Sequence, residues 1–411
     1  MAAASICEQA SPWSYELHVF EKNSLLWNKV LISGGGRCNV TTGYYKKQDF
    51  LDKYIRGSDF IKDALAVFWP RKVYKWFEDH GVPLKIEDDM RVFPISNNGK
   101  DVVWVFEKIF AEYWVVVHFK EGVEKLTYTK LDSSATPEND GFVVDTAKDS
   151  YDFDVVVLTT GGNAYAHTGS TGDGYSFAAA CGHSITPLGP SLNSFMTTDA
   201  WMHELSGLSF ADAVLRVRLG DGTDKDTHGP VLLTHFGISW PATFVLAAYT
   251  AFETVDETHP LTAYFQPFQD MDASVWNTFF LDASMRSPKK RLSTILAESP
   301  LPKRFAAAFV QRFASDITIG VLSKKDRQYL SGLLWNGIPL ACIKRRPGDE
   351  FVTAGGVALE EVDSSTLESK TAPWLYFAGE ILDVDGVTGW FNLQACWAAG
   401  YVVGKSIAST I

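Results

Sequence analysis

Apolar positions along this chain recur with two periods, and the places where the period changes mark the elements. Residues 2–10 read as the end of a helix, and 15–20 as an alternating strand closed by Glu21 and Lys22. The run 29–39 (KVLISGGGRCN) is short, apolar and strand-like at first, then empties into a glycine loop. Between 58 and 80, Phe60, Ala64, Leu65 and Phe68, then Val73, Trp76 and Phe77, carry helical spacing on two segments, with Pro70 placed to open the second. Residues 82–94 read as extended, 100–113 as a helix, and 114–119 and 141–145 as strands.

The run 153–160 (FDVVVLTT) is β-branched throughout, the pattern of a strand buried on both faces, and it ends in Gly161 and Gly162. A second glycine-rich stretch, 168–174, leads into a helix at 175–181. After Pro190 the texture changes. Ala213, Leu215, Val217 and Leu219 alternate with polar partners, which predicts an antiparallel sheet or small barrel. Residues 274–335 read as mostly helical, with Ser323 and Asp326 as a capping box. From Phe351 the glycine-rich α/β texture returns, with a strand and turn at 374–380 and a closing helix at 392–407. The loop 131–140 is rich in Ser, Thr, Pro, Asn and Asp and reads as flexible.

The pattern predicts an α/β protein: a discontinuous, doubly wound Rossmann-type domain from residues 1–190 and 351–411. Inserted in it are a β-rich, barrel-like domain (191–265 and 336–350) and a helical insert (266–335).

Composition narrows the function. The chain has 411 residues and a formal net charge of −12, with no basic stripe. A nucleic-acid partner is therefore not expected. No run is apolar enough for a membrane span, and the start lacks the basic and apolar regions of a signal peptide. Five cysteines stand far apart with no Cys-x-x-Cys, which argues against a zinc ribbon and a dithiol redox pair and for a reducing, cytoplasmic setting. An organelle is the alternative if the true N-terminus is longer. A small-molecule substrate is the expected partner; composition gives no oligomeric state.

Three glycine clusters and one strand-end acid carry the candidate chemistry. Gly34, Gly35 and Gly36 can turn backbone N–H groups toward an anion, and Arg37 adds a cation; a tight turn with an incidental arginine reads equally well. Glu21 ends an early strand, where dinucleotide folds place the acid that bonds ribose hydroxyls; a solvated strand-end glutamate is the alternative. Gly161 and Gly162 close a buried strand, the edge at which open α/β sheets bind ligands. The densest cluster runs through Gly379, Glu380, Asp383 and Asp385 to Asn392 and Leu393, at the start of an apolar helix. A helix start offers free N–H donors and partial positive charge, which suits the pyrimidine edge of a flavin.

Taken together and in order, the motifs KVLISGGGRCN (29–39), RVFP (91–94), TGSTGDGY (168–175), THFG (234–237), VTAGGV (352–357), FAGEILDVDGVTG (377–389) and NLQ (392–394) resemble one family. It comprises the bacterial-type FAD/NAD(P)-dependent oxidoreductases, including aminoacetone-oxidase-like enzymes and bile-acid dehydro-reductases. The resemblance covers almost the whole chain. It implies an FAD-dependent oxidoreductase that transfers hydride between flavin and a small organic substrate, with NAD(P)H as candidate reductant. It places Glu21 at the adenosine ribose, and Lys29, Arg37 and Asn39 near the phosphates or ribityl chain. It makes Val123 a backbone contact to adenine. Glu380 and Asp385 face the ribityl and pyrophosphate region, and Asn392 and Leu393 sit under the flavin. The resemblance assigns no catalytic acid or base; from the residues, His235 is the best polar candidate, with Tyr165 and His167 behind it and a structural histidine as the alternative, and Cys38 is expected to be a small buried residue.

Two departures matter. The family opens with a strand and a Gly-x-Gly-x-x-Gly loop, whereas Met1 falls where the following helix is already under way. The expectation is either a longer protein or a degenerate, truncated relative without cofactor or catalysis. Trp240 stands where the family usually has Gly, and Trp390 and Phe391 replace a Gly-Tyr pair beside the flavin helix, so substrate identity does not carry over.

Overall fold

Contacts divide the chain into two units, Met1–Gly189 with Phe351–Ile411, and Pro190–Glu350. The computed structural model describes residues 1–43, 46–129 and 141–411, so the loop expected at 131–140 lies outside the described residues.

The first unit is built on parallel pairs. Strand His18–Glu21 runs beside Val116–Phe119, and Val156–Leu158 beside Leu375–Phe377. An antiparallel meander, Val123–Thr129, Gly141–Thr146 and Ser150–Phe153, joins them. The meander corrects one sequence expectation. Phe153 pairs with Phe142 at the end of an antiparallel strand, the chain bends at Asp154, and only 156–158 remain for the parallel sheet. Of those three, Leu158 alone is buried. Uniform β-branching did not reveal that the run serves two sheets.

A second correction falls at 29–39. Residues Asn28–Ile32 are a short helix, not a strand. Trp27 enters it in the left-handed conformation and packs its ring on Phe106 and Phe110 of helix Lys100–Glu112, with centroids 5.2 and 5.5 Å away. One turn of helix brings Trp27 and Val30 to that same surface, which an extended run would not do.

Helix Gly389–Ala408 runs through the core and starts three residues earlier than its apolar pattern predicts. Its small face admits the first helix, Ala2–Gln9, at close range: a Cβ on Gly404 would stand 2.5 Å from both the Ala2 carbonyl oxygen and Ser5 Cβ. The buried polar side chains of Gln394 and Trp397 on it are satisfied. Gln394 Nε2 donates to the Phe68 carbonyl (2.8 Å), Thr41 Oγ1 donates to Gln394 Oε1 (2.6 Å), and Trp397 Nε1 donates to the Val40 carbonyl (2.8 Å).

His183 fastens the strand region 369–377. Its Nε2 lies 2.7 Å from Ser369 Oγ and 2.9 Å from Thr371 Oγ1, and its Nδ1 lies 3.3 Å from a Glu361 oxygen. Burial lowers the imidazole pKa below the ordinary 6.5, against the opposing pull of Glu361. A lowered histidine pKa means the unfolded chain takes up a proton before the folded one does. Its contribution is therefore fully present above pH 6.5 and is lost as pH falls toward the folded value. The stability of the wild type, and its Tm with it, should drop between pH 7 and 5, this group removing at most about 1.4 kcal/mol of unfolding free energy per pH unit. Thermal melts of His183→Gln should show a flatter slope over that window; an equal slope would assign the drop elsewhere.

The second unit closes into a six-stranded barrel in the order Phe195–Thr197, Gly237–Ser239, Asp224–Leu233, Ser209–Arg218, Leu261–Gln266, Ile338–Arg345. The alternation expected from 213 onward is visible as buried Ala213, Leu215 and Val217. At Gly237 (φ +152°) any side chain would meet the Phe195 carbonyl, so the barrel closes only on glycine. Helices Ala273–Arg286, Leu292–Leu296, Lys303–Phe313 and Lys324–Asn336 share a core of Trp276, Phe280, Phe305 and Phe309. Ser323 caps the last of them, its Oγ accepting the Asp326 N–H at 3.1 Å. Arg345 reaches the Thr250 and Glu253 carbonyls beyond helix Pro241–Tyr249, and burial lowers its pKa to about 10. Among the described residues, no helix is long and apolar enough to cross a membrane.

Candidate functional site

The nucleotide-like features of the first unit gather into four connected groups. The first is the glycine turn after helix Asn28–Ile32. Gly34, Gly35 and Gly36 take φ of +57°, +69° and +86°, three left-handed residues in succession that only glycine adopts without strain. A Cβ on Gly34 would stand 2.9 Å from the Asn39 amide nitrogen, whereas one on Gly35 would meet open space. Asn39 Oδ1 accepts the Val92 N–H at 3.1 Å and ties the turn to strand Arg91–Pro94. The Arg37 guanidinium lies 3.8 Å from the Phe93 ring centroid and pairs with Glu87 at 2.8 Å. Cys38 is buried beside it, and burial pushes its thiol up to about 12, so it is no thiolate at neutral pH.

The second group centres on Glu380. Lys29 Nζ lies 2.5 Å from Glu380 Oε2 and 3.4 Å from the Ala164 carbonyl. Glu380 Oε1 accepts the Thr353 N–H at 2.9 Å, and Thr353 Oγ1 accepts the Asn163 N–H at 2.7 Å. Gly162 passes between them: a Cβ there would sit 2.6 Å from Thr353 Oγ1 and 2.7 Å from Glu380 Oε1. Three glycine clusters that are remote in sequence thus share one carboxylate. Gly161 (φ +74°) and Gly379 (φ +89°) make the turns that allow it. Burial, then the charges of Glu380 and Asp383, push the Tyr175 phenol up.

The third group opens helix Gly389–Ala408. Asp385, 1% exposed, is ion-paired with Arg56. Asn392 Oδ1 accepts the Gly386 N–H at 2.9 Å, and its Nδ2 donates to the Gly386 and Thr388 carbonyls at 3.1 and 3.0 Å. Asp383 Oδ2 accepts from Thr186 Oγ1 at 3.2 Å. Leu393 is half-buried on the same helix. The fourth group lies at the end of strand His18–Glu21. Glu21 Oε1 accepts from the Asn23 amide (2.8 Å) and side chain (2.7 Å). Lys22 bonds Thr171 and Asp173. Burial opposes ionisation of Asp173, yet the Lys22 and Thr171 bonds outweigh it and hold the carboxyl below the usual range. Val123 opens the meander, paired with Thr146.

Lys29, Gly162 and Glu380 therefore converge, as do Gly34, Arg37 and Asn39, and Asp385 and Asn392. Tyr165 and His167 stand edge to face, 5.7 Å apart, in the first unit. His235 is in the second unit, exposed, its ring edge-on to Phe236 at 5.2 Å. Sequence reasoning missed Thr353, Arg56 and Lys22, whose roles arise from long-range pairing that no local motif announces.

The chemistry of these groups fits an FAD. Asp383 Oδ1, Thr388 Oγ1 and Trp390 Nε1 are buried polar atoms without a hydrogen-bond partner, all within eight residues of the helix start. Together with the glycine turns they offer acceptors for hydroxyls and donors for a heteroaromatic edge. A cavity of about 10 Å³ lies among Gly379, Glu380, Asn392 and Cys396.

The HI0933-like protein Rossmann domain family matches residues 1–406. The chain is 26% identical to the 3-dehydro-bile acid delta(4,6)-reductase of Clostridium scindens, over 98% of this chain and 96% of that one. It is also 26% identical to the ribosomal RNA dihydrouridine synthase of Haemophilus influenzae, over 99% and 96%. Among solved structures, the 3-ketosteroid-Δ4-(5α)-dehydrogenase of Rhodococcus jostii RHA1, in complex with 4-androstene-3,17-dione, superposes with a TM-score of 0.50. It is 15% identical, covers 99% of this chain and 94% of that one, and supports the fold alone.

Proposed function

Since the chain belongs to the HI0933-like Rossmann-domain family of FAD-dependent oxidoreductases, we propose that it reduces a carbon–carbon double bond conjugated to a carbonyl in a small organic molecule. The observation that carries the reading is the chemistry common to two relatives of equal similarity. A Δ4,6-reductase of 3-dehydro-bile acids and a dihydrouridine synthase have different substrates, yet each name describes adding two hydrogens across a C=C next to a carbonyl. The reaction balances as a hydride to the β-carbon and a proton to the α-carbon, with NAD(P)H as the source of the electron pair. Bound FAD would supply the hydride carrier.

The chain's own residues have separable tasks in this reading. Glu21 would bind ribose hydroxyls at the end of its strand. The 34–36 turn, with Arg37 and Lys29, would bind the diphosphate region, and Asn39 would hold that turn rigid. Val123 would meet adenine, and Gly161 and Gly162 would let backbone approach closely. Asp383 and Asp385 would accept from ribityl hydroxyls. The first-turn N–H groups of helix Gly389–Ala408, held by Asn392 and Leu393, would stabilise negative charge at the flavin's edge. His235 is proposed as the proton donor to the α-carbon. The net charge of −12 favours a small substrate over a polynucleotide, whose phosphates it repels.

The test is anaerobic. The FAD-loaded protein is mixed with NADPH and a 3-oxo-Δ4,6 steroid, and loss of the dienone absorbance is followed. Acceleration of NADPH oxidation by about tenfold or more over the rate without steroid is expected. Flavin-loaded protein that oxidises NADPH at the same rate with and without the enone would overturn the reading.

A further inference from the structure

Three helices of the first unit end around one hollow. Ala2–Gln9, Pro70–Asp79 and Lys100–Glu112 bring Glu8, His80, Lys108, Glu112 and Tyr113 to a cavity of about 150 Å³, which the buried Val105 and Ile109 also line. One wall of it is rigid. Glu8 Oε1 lies 2.7 Å from His80 Nε2, and Glu8 Oε2 accepts from Trp76 Nε1 at 3.1 Å. His80 Nδ1 lies 2.6 Å from the Trp76 carbonyl, and the imidazole packs on the indole with centroids 4.2 Å apart. Both imidazole nitrogens thus face acceptors, which leaves His80 no lone pair for acid–base work. This wall gives the cavity its shape.

The other charged heads are not committed. Glu112 is exposed and, among the described residues, has no hydrogen-bond or ion-pair partner. Lys108 stands one turn before it, the spacing at which two such heads can meet, yet its ammonium lies by the Trp104 ring, 5.5 Å from the centroid. Lys ahead of Glu is the weaker order for such a pair, and an acid at a helix C-terminus opposes the macrodipole. The end of helix Lys100–Glu112 thus holds a carboxylate where local stability asks for a cation. The C-terminal partial charges of the three helices deepen the negative potential there.

We propose that this cavity binds a free α-amino acid with an apolar side chain, its ammonium on Glu112, its carboxylate on Lys108 and its side chain against Val105 and Ile109. The charge pattern selects a zwitterion. A simple anion on Lys108 would face the carboxylates of Glu8 and Glu112, and a simple cation on Glu112 would face Lys108 one helical turn away. A zwitterion matches both heads. Volume sets the side chain: about 150 Å³ is the space that holds one benzene-sized molecule, so leucine is of the right size and tryptophan is too large. Binding here is independent of the reductase reading, since none of the groups assigned to the flavin lines this cavity.

The test is equilibrium dialysis of radiolabelled L-leucine against full-length protein, with and without saturating FAD, as wild type, Lys108→Met and Glu112→Gln. Wild type should bind leucine with a Kd of about 1 mM or tighter, within reach of a ligand of this size, and with the same Kd in the presence of FAD. 3-Methylbutylamine, which lacks the carboxylate, and 4-methylpentanoate, which lacks the ammonium, should each bind about tenfold or more weaker than leucine. Lys108→Met should weaken leucine about tenfold and leave 3-methylbutylamine within about threefold; Glu112→Gln should weaken leucine as much and leave 4-methylpentanoate within about threefold. Both side chains are exposed, so the variants should melt within about 2 °C of wild type, which separates lost binding from lost fold. Wild type that takes up no leucine at about 10 mM overturns the inference. So does leucine binding that is equal in wild type and either variant, an analogue that binds as tightly as leucine, or leucine that FAD displaces.

Discussion

Replacing Glu380 by alanine is expected to lower the Tm by about 5–10 °C and to weaken FAD retention at least thirtyfold. The stability effect follows from how many partners the carboxylate serves. Lys29 loses an ion pair at 2.5 Å and keeps only the Ala164 carbonyl at 3.4 Å, while the Thr353 N–H loses its acceptor. Breaking a buried pair by removing one partner costs about 3–5 kcal/mol. The Lys29 side chain is 28% exposed, so water recovers part of that, and about 2–3 kcal/mol remains. For a unit of this size each kcal/mol shifts Tm by about 2–4 °C. Glu380→Gln, which keeps an acceptor for Thr353 but not the charge, should fall between. A separate readout comes from Cys396. Burial first, and the Glu380 charge second, push its thiol up to about 12, so in Glu380→Gln it should react faster with a disulfide reagent at pH 8–9. A Glu380→Ala protein that melts with the wild type and stays yellow would detach Glu380 from both roles.

The Glu380 group also shows where the sequence was legible and where it was not. Gly161, Gly162, Gly379 and Glu380 stood out because glycine clusters at strand ends admit few readings, and the structure joins them through one side chain. Thr353 was hidden inside a motif because nothing local shows that its hydroxyl accepts an N–H from 190 residues away. The helix before the glycine turn was misread as a strand: five residues are too few for periodicity to separate the two, and the contact that decides it, Trp27 on Phe106, is tertiary. The split of 153–160 between a meander and a parallel strand was invisible for the same reason. The long helices were read within a few residues because their apolar faces are set by period alone. Trp240 is a different case. The sequence marked its bulk as unusual, but only φ and ψ show that the corner is one glycine would fit better.

Asp385→Ala should be the most destabilising single change at the site, and pairing it with a second change separates structure from binding. Asp385 is 1% exposed, and its partner Arg56 is 16% exposed on a strand that pairs with it in the backbone ladder. Truncating the acid leaves a guanidinium desolvated, at a cost of about 3–5 kcal/mol and a Tm fall of about 8–15 °C. If that loss is electrostatic, it belongs to the pair and not to the acid. The double variant Arg56→Met with Asp385→Leu removes both charges while keeping volume, and should regain most of the lost Tm. FAD retention should follow a different course. The neighbouring Asp383 Oδ1 and Thr388 Oγ1 remain in place, but the Asp385 carboxylate itself is proposed to accept from the ribityl chain, so the double variant should be stable and nearly colourless. Recovery of both Tm and flavin would show that Asp385 serves only the fold. Recovery of neither would show that the corner is held by shape rather than charge, through the Asn392 bonds to Gly386 and the Tyr54 hydroxyl on the Phe391 carbonyl.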